Sequence, residues 1–199
     1  MTPFIRAAAQ RYDVPVKISS VVEGRRAFLL GTTIYLNADL PEERANWAFC
    51  HELAHLLLKH HERMPRDTVE EEAQERAANF LASDLILPEE EFKPLMHLSL
   101  EELKQRFSHA SYEVIARRRL KFRPGLLTIV DDVKISARLA PDGWNRPMQL
   151  FPPESQALDR CLQEKNELVL QEEGMTVEAT YIDEGRGVVR VILFAEEGF

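Results

Sequence analysis

Three observations in the 199-residue sequence predict an α+β fold. Short β-type segments open the chain, a long stretch with helical periodicity fills its middle, and beyond Pro124-Gly125 the period returns to that of strands. The expected architecture is a small sheet with two long helices over residues 1–90, a helical pair over 91–124, and a small β-rich α+β domain over 125–199. With 45% hydrophobic residues the chain can fill one sizeable core or one domain plus a smaller one, and wholesale disorder is excluded.

Pro3 to Arg11 reads as a short helix. Val16 to Val22 and Ala27 to Leu36 read as β segments parted by the turn-like Glu23-Gly24-Arg25, and Asn37-Ala38-Asp39 closes the second. Asp39-Leu40-Pro41-Glu42 has the form of a capping box, so a helix is expected from about Leu40 to about Lys59. Trp47, Phe49, Cys50, Leu53, Ala54, Leu56, Leu57 and Leu58 cover most of its circumference, which makes it a central helix. After a loop holding Pro65, a second helix starts near Asp67 or Thr68, with Glu70 or Glu71 available for a second capping box. Pro88 ends it, because the residue ahead of a proline is pushed out of helical geometry. Ser99-Leu100-Glu101-Glu102 opens another helix by the capping-box rule, and residues 111–121 form the next. Past the boundary at Pro124-Gly125, strand periods run through 126–139, 167–171, 176–182 and 188–194, with a short helix over 153–163. The last three strands are joined by Glu172-Glu173-Gly174 and Glu184-Gly185-Arg186-Gly187, which suits an antiparallel meander.

Several function classes fall away. No run of 18 uncharged apolar residues exists to span a membrane, and Arg6 and Arg11 interrupt the N-terminus where a secretory signal needs a continuous apolar core. Cys50 and Cys161 are too few for a disulfide framework, so a reducing cytoplasm is the expected location. The formal charge of −8 argues against nucleic-acid binding by the whole surface. That figure averages unlike parts: residues 62–92 carry ten acidic and three basic side chains, 126–199 carry fourteen and seven, and 101–125 carry three and seven.

The chemistry concentrates in His51-Glu52-Leu53-Ala54-His55 on the central helix. Residues four apart share a helical face, so His51 and His55 present two imidazoles to one point, as a tetrahedral Zn²⁺ requires. Glu52 stands beside that face, where its carboxylate can accept the proton of a water that zinc has acidified instead of ligating the metal. A catalytic zinc takes three protein ligands, and the second helix offers Glu70, Glu71, Glu72 and Glu75. Glu75 leads, because it shares a face with Ala78, Asn79 and Ala82, whose small side chains let the two helices approach. Glu72 and then Glu71 follow, and the acidic start of the helix is also explained by its dipole. A His₂Glu site accepts several divalent ions, Mn²⁺ among them.

Leu40 to Lys59, LPEERANWAFCHELAHLLLK, followed by Glu75 to Pro88, ERAANFLASDLILP, resembles the ImmA/IrrE (PprI-like) family of zinc-dependent peptidases. The resemblance covers roughly residues 30–120 and implies a zincin-like, minimal gluzincin core: His51, His55 and Glu75 as metal ligands and Glu52 as the general base. Ala54 stands where the family usually has Gly, and Leu81 where it has Phe; neither is a ligand. The resemblance further implies cleavage of a dedicated helix-turn-helix repressor that derepresses stress-response or mobile-element genes. IrrE-like members carry a GAF-like sensor at the C-terminus. The 75 residues after Pro124 are short for one, which leaves a reduced sensory or dimerisation module or a structural cap.

Other features are weaker. His60 and His61, at i+5 and i+6 from His55, fall off the ligand face and read as exposed residues at the helix end. His97 and His109 are candidates for stabilising an oxyanion, with nothing in the spacing to choose between them. Cys50 projects about 100° from His51 and reads as core. The rival to the peptidase is a DNA- or protein-binding regulator that keeps the zinc fold without turnover. Residues 100–120 resemble a helix-turn-helix, with Arg117, Arg118, Arg119, Lys121 and Arg123 clustered. Against DNA contact, Glu113, Val114 and Ile115 do not suit the start of a base-reading helix.

Overall fold

A computed structural model describes residues 1–20, 24–62, 65–141, 143–144, 147–185 and 187–197. The expected turn at Glu23, the strand end at Val21 and Val22, the loop start at Arg63 and the turn residue Arg186 lie outside them. The chain is mixed α+β and divides into two compact units: Met1–Phe92 with Phe107–Ser111, and Lys93–Arg106 with Tyr112–Phe199. The helical pair, expected as a segment of its own, is thereby grouped with the C-terminal sheet, while the turn between its helices belongs to the first unit.

In the first unit, α1 (Pro3–Arg11) is capped by Thr2, whose hydroxyl accepts from the Ile5 N–H. β1 (Val16–Ser19), β2 (Ala27–Leu30) and β3 (Thr33–Asn37) form a sheet of order β1-β3-β2, with β1 parallel and β2 antiparallel to β3. Alternation along β3 buries Ile34 and Leu36, while Tyr35 stacks on Phe28 across the sheet at 4.8 Å. Next come α2 (Glu42–Leu57) and α3 (Thr68–Ile86), which pack on each other. The capping box expected at Asp39 is absent: α2 starts at Glu42 with Pro41 as its cap residue and no side-chain cap. The cause is local. The Asn37 side chain accepts from the Asp39 N–H in an Asx turn, and Pro41 stays extended ahead of the first turn. At α3 only half of the box forms: Asp67 caps the helix by accepting from the Glu70 N–H, while Glu70 reaches past the cap residue and accepts from the Arg66 N–H.

As the sequence predicts, α2 is central, with Ala45, Ala48, Phe49, Cys50, Leu53 and Ala54 all buried. α3 faces inward through Ala78, Ala82 and Ile86, a stripe at four-residue spacing narrow enough for close helix contact. A polar clasp ties this unit together. Buried Asn46 accepts from the Thr2 hydroxyl and donates to the His109 carbonyl, and the His109 ring stacks on Phe4 with its Nε2 2.9 Å from the Ile86 carbonyl oxygen.

In the second unit, α4 (Leu100–Arg106) and α5 (Tyr112–Phe122) precede β4 (Leu126–Asp131), β5 (Lys134–Leu139), α6 (Pro152–Glu164), β6 (Leu168–Glu172), β7 (Met175–Gly185) and β8 (Val188–Glu197). Ser99 and Glu102 make the expected reciprocal capping box at the start of α4. The sheet is antiparallel throughout, in the order β5-β4-β8-β7-β6, so the meander of the last three strands is present. α6 covers one face through Ala157 and Cys161, against Leu126, Val177, Ala179, Val191, Leu193 and Ala195. Among the described residues, no helix is long and apolar enough to cross a membrane.

Candidate metal centre

One turn of α2 aligns His51 with His55, and the close approach of α3 at Ala78 and Ala82 brings in Glu75, one turn earlier on the same face. The two Nε2 atoms lie 3.1 Å apart, His51 Nε2 is 3.4 Å from Glu75 Oε2, and His55 Nε2 is 3.2 Å from Glu75 Oε1. The rings meet nearly edge to face, at 76°. Among the described residues these three form the group that could hold a metal ion, with one ligand atom from each inside 4.8 Å. The fit is testable from geometry. Ligands about 2.0–2.1 Å from a tetrahedral zinc stand about 3.3–3.4 Å from one another. The separations of 3.1, 3.2 and 3.4 Å lie close to that edge length, His51 and His55 facing different oxygens of Glu75, and a pair of imidazoles with a carboxylate is a donor set that zinc and manganese both take. Glu72 instead turns to Arg76 on the exposed side, at 3.5 Å.

Glu52 is partly buried beside the cluster. Burial pushes its carboxyl up to about 7, and the negative charge of Glu75 adds to the rise. A hydrogen bond from the Leu29 backbone and the positive charge of Arg25 oppose it without cancelling it. His55 is held below the usual imidazole range by burial first and by His51 second, so the neutral, lone-pair-bearing form is favoured.

The surroundings revise several expectations. His60 is not a bystander. Lys59 takes a left-handed conformation (φ 58°) where helices usually place glycine, and the chain folds back in a single 3₁₀ turn, His60–Glu62. His60 Nδ1 then lies 3.0 Å from His55 Nδ1. Sequence spacing missed this contact because it assumes a continuing helix, and a lysine carries no signal for a left-handed cap. His109 is held in the clasp of the first unit by Phe4 and the Ile86 carbonyl, and His97 is exposed. Cys50 is core as expected, its thiol pushed up by burial.

The basic cluster on α5 is largely engaged within its own unit. Arg118 and Arg119 are 1% and 2% exposed and stack over Phe122 and Phe194, each 4.9 Å from the ring centre. Arg119 also bridges to Glu178 at 2.7 Å, Arg123 donates to Glu178 and Glu196, and Arg117 pairs with Glu113.

A family model for the IrrE N-terminal-like domain matches residues 9–120, more than half of the chain. Among solved structures, a Mycobacterium tuberculosis protein described as a transcriptional regulator superposes with a TM-score of 0.66 at 14% identity, over 98% of this chain and 68% of that one. At that identity the likeness speaks for the fold. No curated protein matches.

Proposed function

The chain belongs to the IrrE N-terminal-like domain family of peptidases, and on that premise we propose that it is a zinc-dependent endopeptidase acting on a protein substrate. The observation that carries the reading is the convergence of His51, His55 and Glu75 with Glu52 beside them. Bound there, the ion would polarise the scissile carbonyl and acidify a water. Glu52 takes the proton of the attacking water and returns it to the leaving amine. Burial raises this carboxyl and so strengthens it as a proton acceptor beside the cluster. The hydrogen bond from the Leu29 backbone steadies its carboxylate. Leu29 lies in β2, which ends the sheet order and so pairs on one side only. An extended substrate can add to that edge through its main chain.

The substrate we propose is a partner helix-turn-helix repressor in the cytoplasm, in keeping with the family. Ten acidic against three basic side chains in residues 62–92 favour a basic segment of the partner. The rival reading, a regulator without turnover, draws on the description of the similar mycobacterial structure. DNA contact through α5 is disfavoured, because arginines stacked in a core or paired to carboxylates have little to offer a phosphate backbone. The deciding experiment loads purified protein with zinc or manganese and follows cleavage of a co-encoded helix-turn-helix repressor. Glu75→Ala should lose the metal, and Glu52→Gln should keep it while losing cleavage. Wild-type protein that holds no stoichiometric divalent metal after reconstitution would sink the proposal, and metal retention without cleavage would favour the regulator.

A further inference from the structure

The two histidines that face Glu75 are supported unequally. His51 Nδ1 is buried with no hydrogen-bond partner among the described residues, whereas His55 Nδ1 meets His60 Nδ1 at 3.0 Å. The meeting depends on the end of α2. Leu58 closes the helix, Lys59 turns left-handed with its N–H donating to the Leu56 carbonyl, and the Glu62 N–H donates back to the Lys59 carbonyl. This reversal sets the His60 ring edge to face on His55, with centroids 5.1 Å apart. A left-handed lysine is a strained way to end a helix, and it persists where surrounding contacts compensate for it.

The chemistry of the contact is constrained. The two Nε2 atoms of His51 and His55 meet where a cation would lie, whereas no ligand group converges on the two Nδ1 atoms, so their 3.0 Å contact calls for a proton on one of them. If Nε2 of His55 is to offer its lone pair toward His51 and Glu75, the ring proton must sit on Nδ1, so His55 is the donor. His60 is then the acceptor and keeps its own proton on Nε2. His60 is not a fourth ligand: its near nitrogen addresses the side of the His55 ring opposite the cluster, and it stands outside the group of converging ligand atoms.

We propose that His60 is a positioning residue of the metal centre, accepting the Nδ1–H of His55 and so fixing that ring in the tautomer and orientation whose Nε2 faces His51 and Glu75. The usual partner of a ligating histidine is a carboxylate, a carbonyl or water; here a second imidazole, delivered by the strained turn, takes that place. The inference rests on the reading of His51, His55 and Glu75 as metal ligands.

The test compares zinc affinity, by chelator competition at one pH, in wild type, His60→Leu and His60→Asn. Leucine fills space without accepting, while the asparagine oxygen falls close to where Nδ1 stands. Loss of such a partner weakens metal binding about 10–100-fold, so His60→Leu should show that loss and His60→Asn should return to within about threefold of wild type. Leucine binding zinc as tightly as wild type, or asparagine as weakly as leucine, overturns the proposal while leaving the metal site standing. Wild type that binds no zinc overturns the metal site and this inference together. Should His60→Leu fail to fold, nitrogen NMR of the zinc-loaded wild type decides: His60 must carry its proton on Nε2 with Nδ1 bare and accepting, and a proton on His60 Nδ1 refutes the assignment.

Discussion

In the second unit, Arg138 and Glu154 sit out of water at 2% and 0% exposure and satisfy each other through two N–H···O contacts of 2.8 Å, with Glu154 also accepting from the Phe151 N–H. In the first, Glu52 is partly buried beside Glu75, a carboxylate of its own sign, and His51 and His55 turn nitrogens on each other at 3.1 Å. Both sets are removed from water, yet one pairs opposite charges and the other gathers like groups. The first arrangement is what a core tolerates, since a buried ion needs its partner and its hydrogen bonds. The second is what a site needs, because lone pairs aimed at one point are a cost that a cation would relieve and a displaced carboxyl value is a usable one.

The largest expected effect separates activity from stability at Glu52. Glu52→Gln should lower turnover by about 10²–10⁴-fold, the scale of a lost general base. Thermal stability should hold or rise, because the substitution removes a carboxylate whose ionised form the fold disfavours. A melting temperature that falls while turnover survives would break the comparison. Glu154→Ala should do the reverse, costing about 3–5 kcal/mol in denaturant titration by stranding Arg138, with zinc binding intact. The double variant Arg138→Met with Glu154→Leu should recover most of that loss, and failure to recover would mean the pair does more than neutralise itself.

Metal sharpens the contrast from the other side. Free zinc at about 100 times its dissociation constant should stabilise the protein by about 2.7 kcal/mol, an effect absent in Glu75→Ala. Hydrogen exchange should locate the added protection in α2 and α3. Protection gained equally in β4, β7 and β8 would show that the ion acts elsewhere.

How much of this was legible in the sequence follows from which interactions are local. Periodicity and capping placed α3, whose start is written in Asp67 and Glu70 and whose end is set by Pro88, and the four-residue spacing of His51 and His55 needs nothing beyond a helix. Glu75 stands out among the acidic residues because Ala78 and Ala82 share its face, which is again a local feature of one helix. The start of α2 departs from the sequence expectation because Asn37 competes for the backbone that a capping Asp39 would organise. The contact of His60 with His55 is not readable from spacing, because a left-handed lysine leaves no mark in composition. Arg119 of α5 and Arg123 just past it read as free cations along the chain because their partners Glu178 and Glu196 lie more than fifty residues away, brought in by strand pairing that spacing along one helix cannot reveal.

The smallest effect tests the paired unit by pH. Asp131 and Arg190 face each other across β4 and β8, with Nε to Oδ1 at 2.6 Å and Nη2 to Oδ2 at 3.2 Å. The hydrogen bonds from Arg190 hold the Asp131 carboxyl below its ordinary value of 3.8. A carboxyl lowered in the folded state binds protons less readily there than in the unfolded chain. Its contribution is therefore complete above 3.8 and is lost as pH falls through the lowered value. Both side chains are partly exposed, so the contribution should stay at or under about 1 kcal/mol. Asp131→Asn should be less stable than wild type by that amount near about pH 7, and the two should converge on acidification toward about pH 2–3. Arg190 keeps Glu184 and Glu113 as partners in the variant, so the difference reports the Asp131 contact and not the loss of a whole network. A gap that widens as pH falls would mean that the Asp131 carboxylate is strained rather than stabilised, and the second unit would then share the rule of the first.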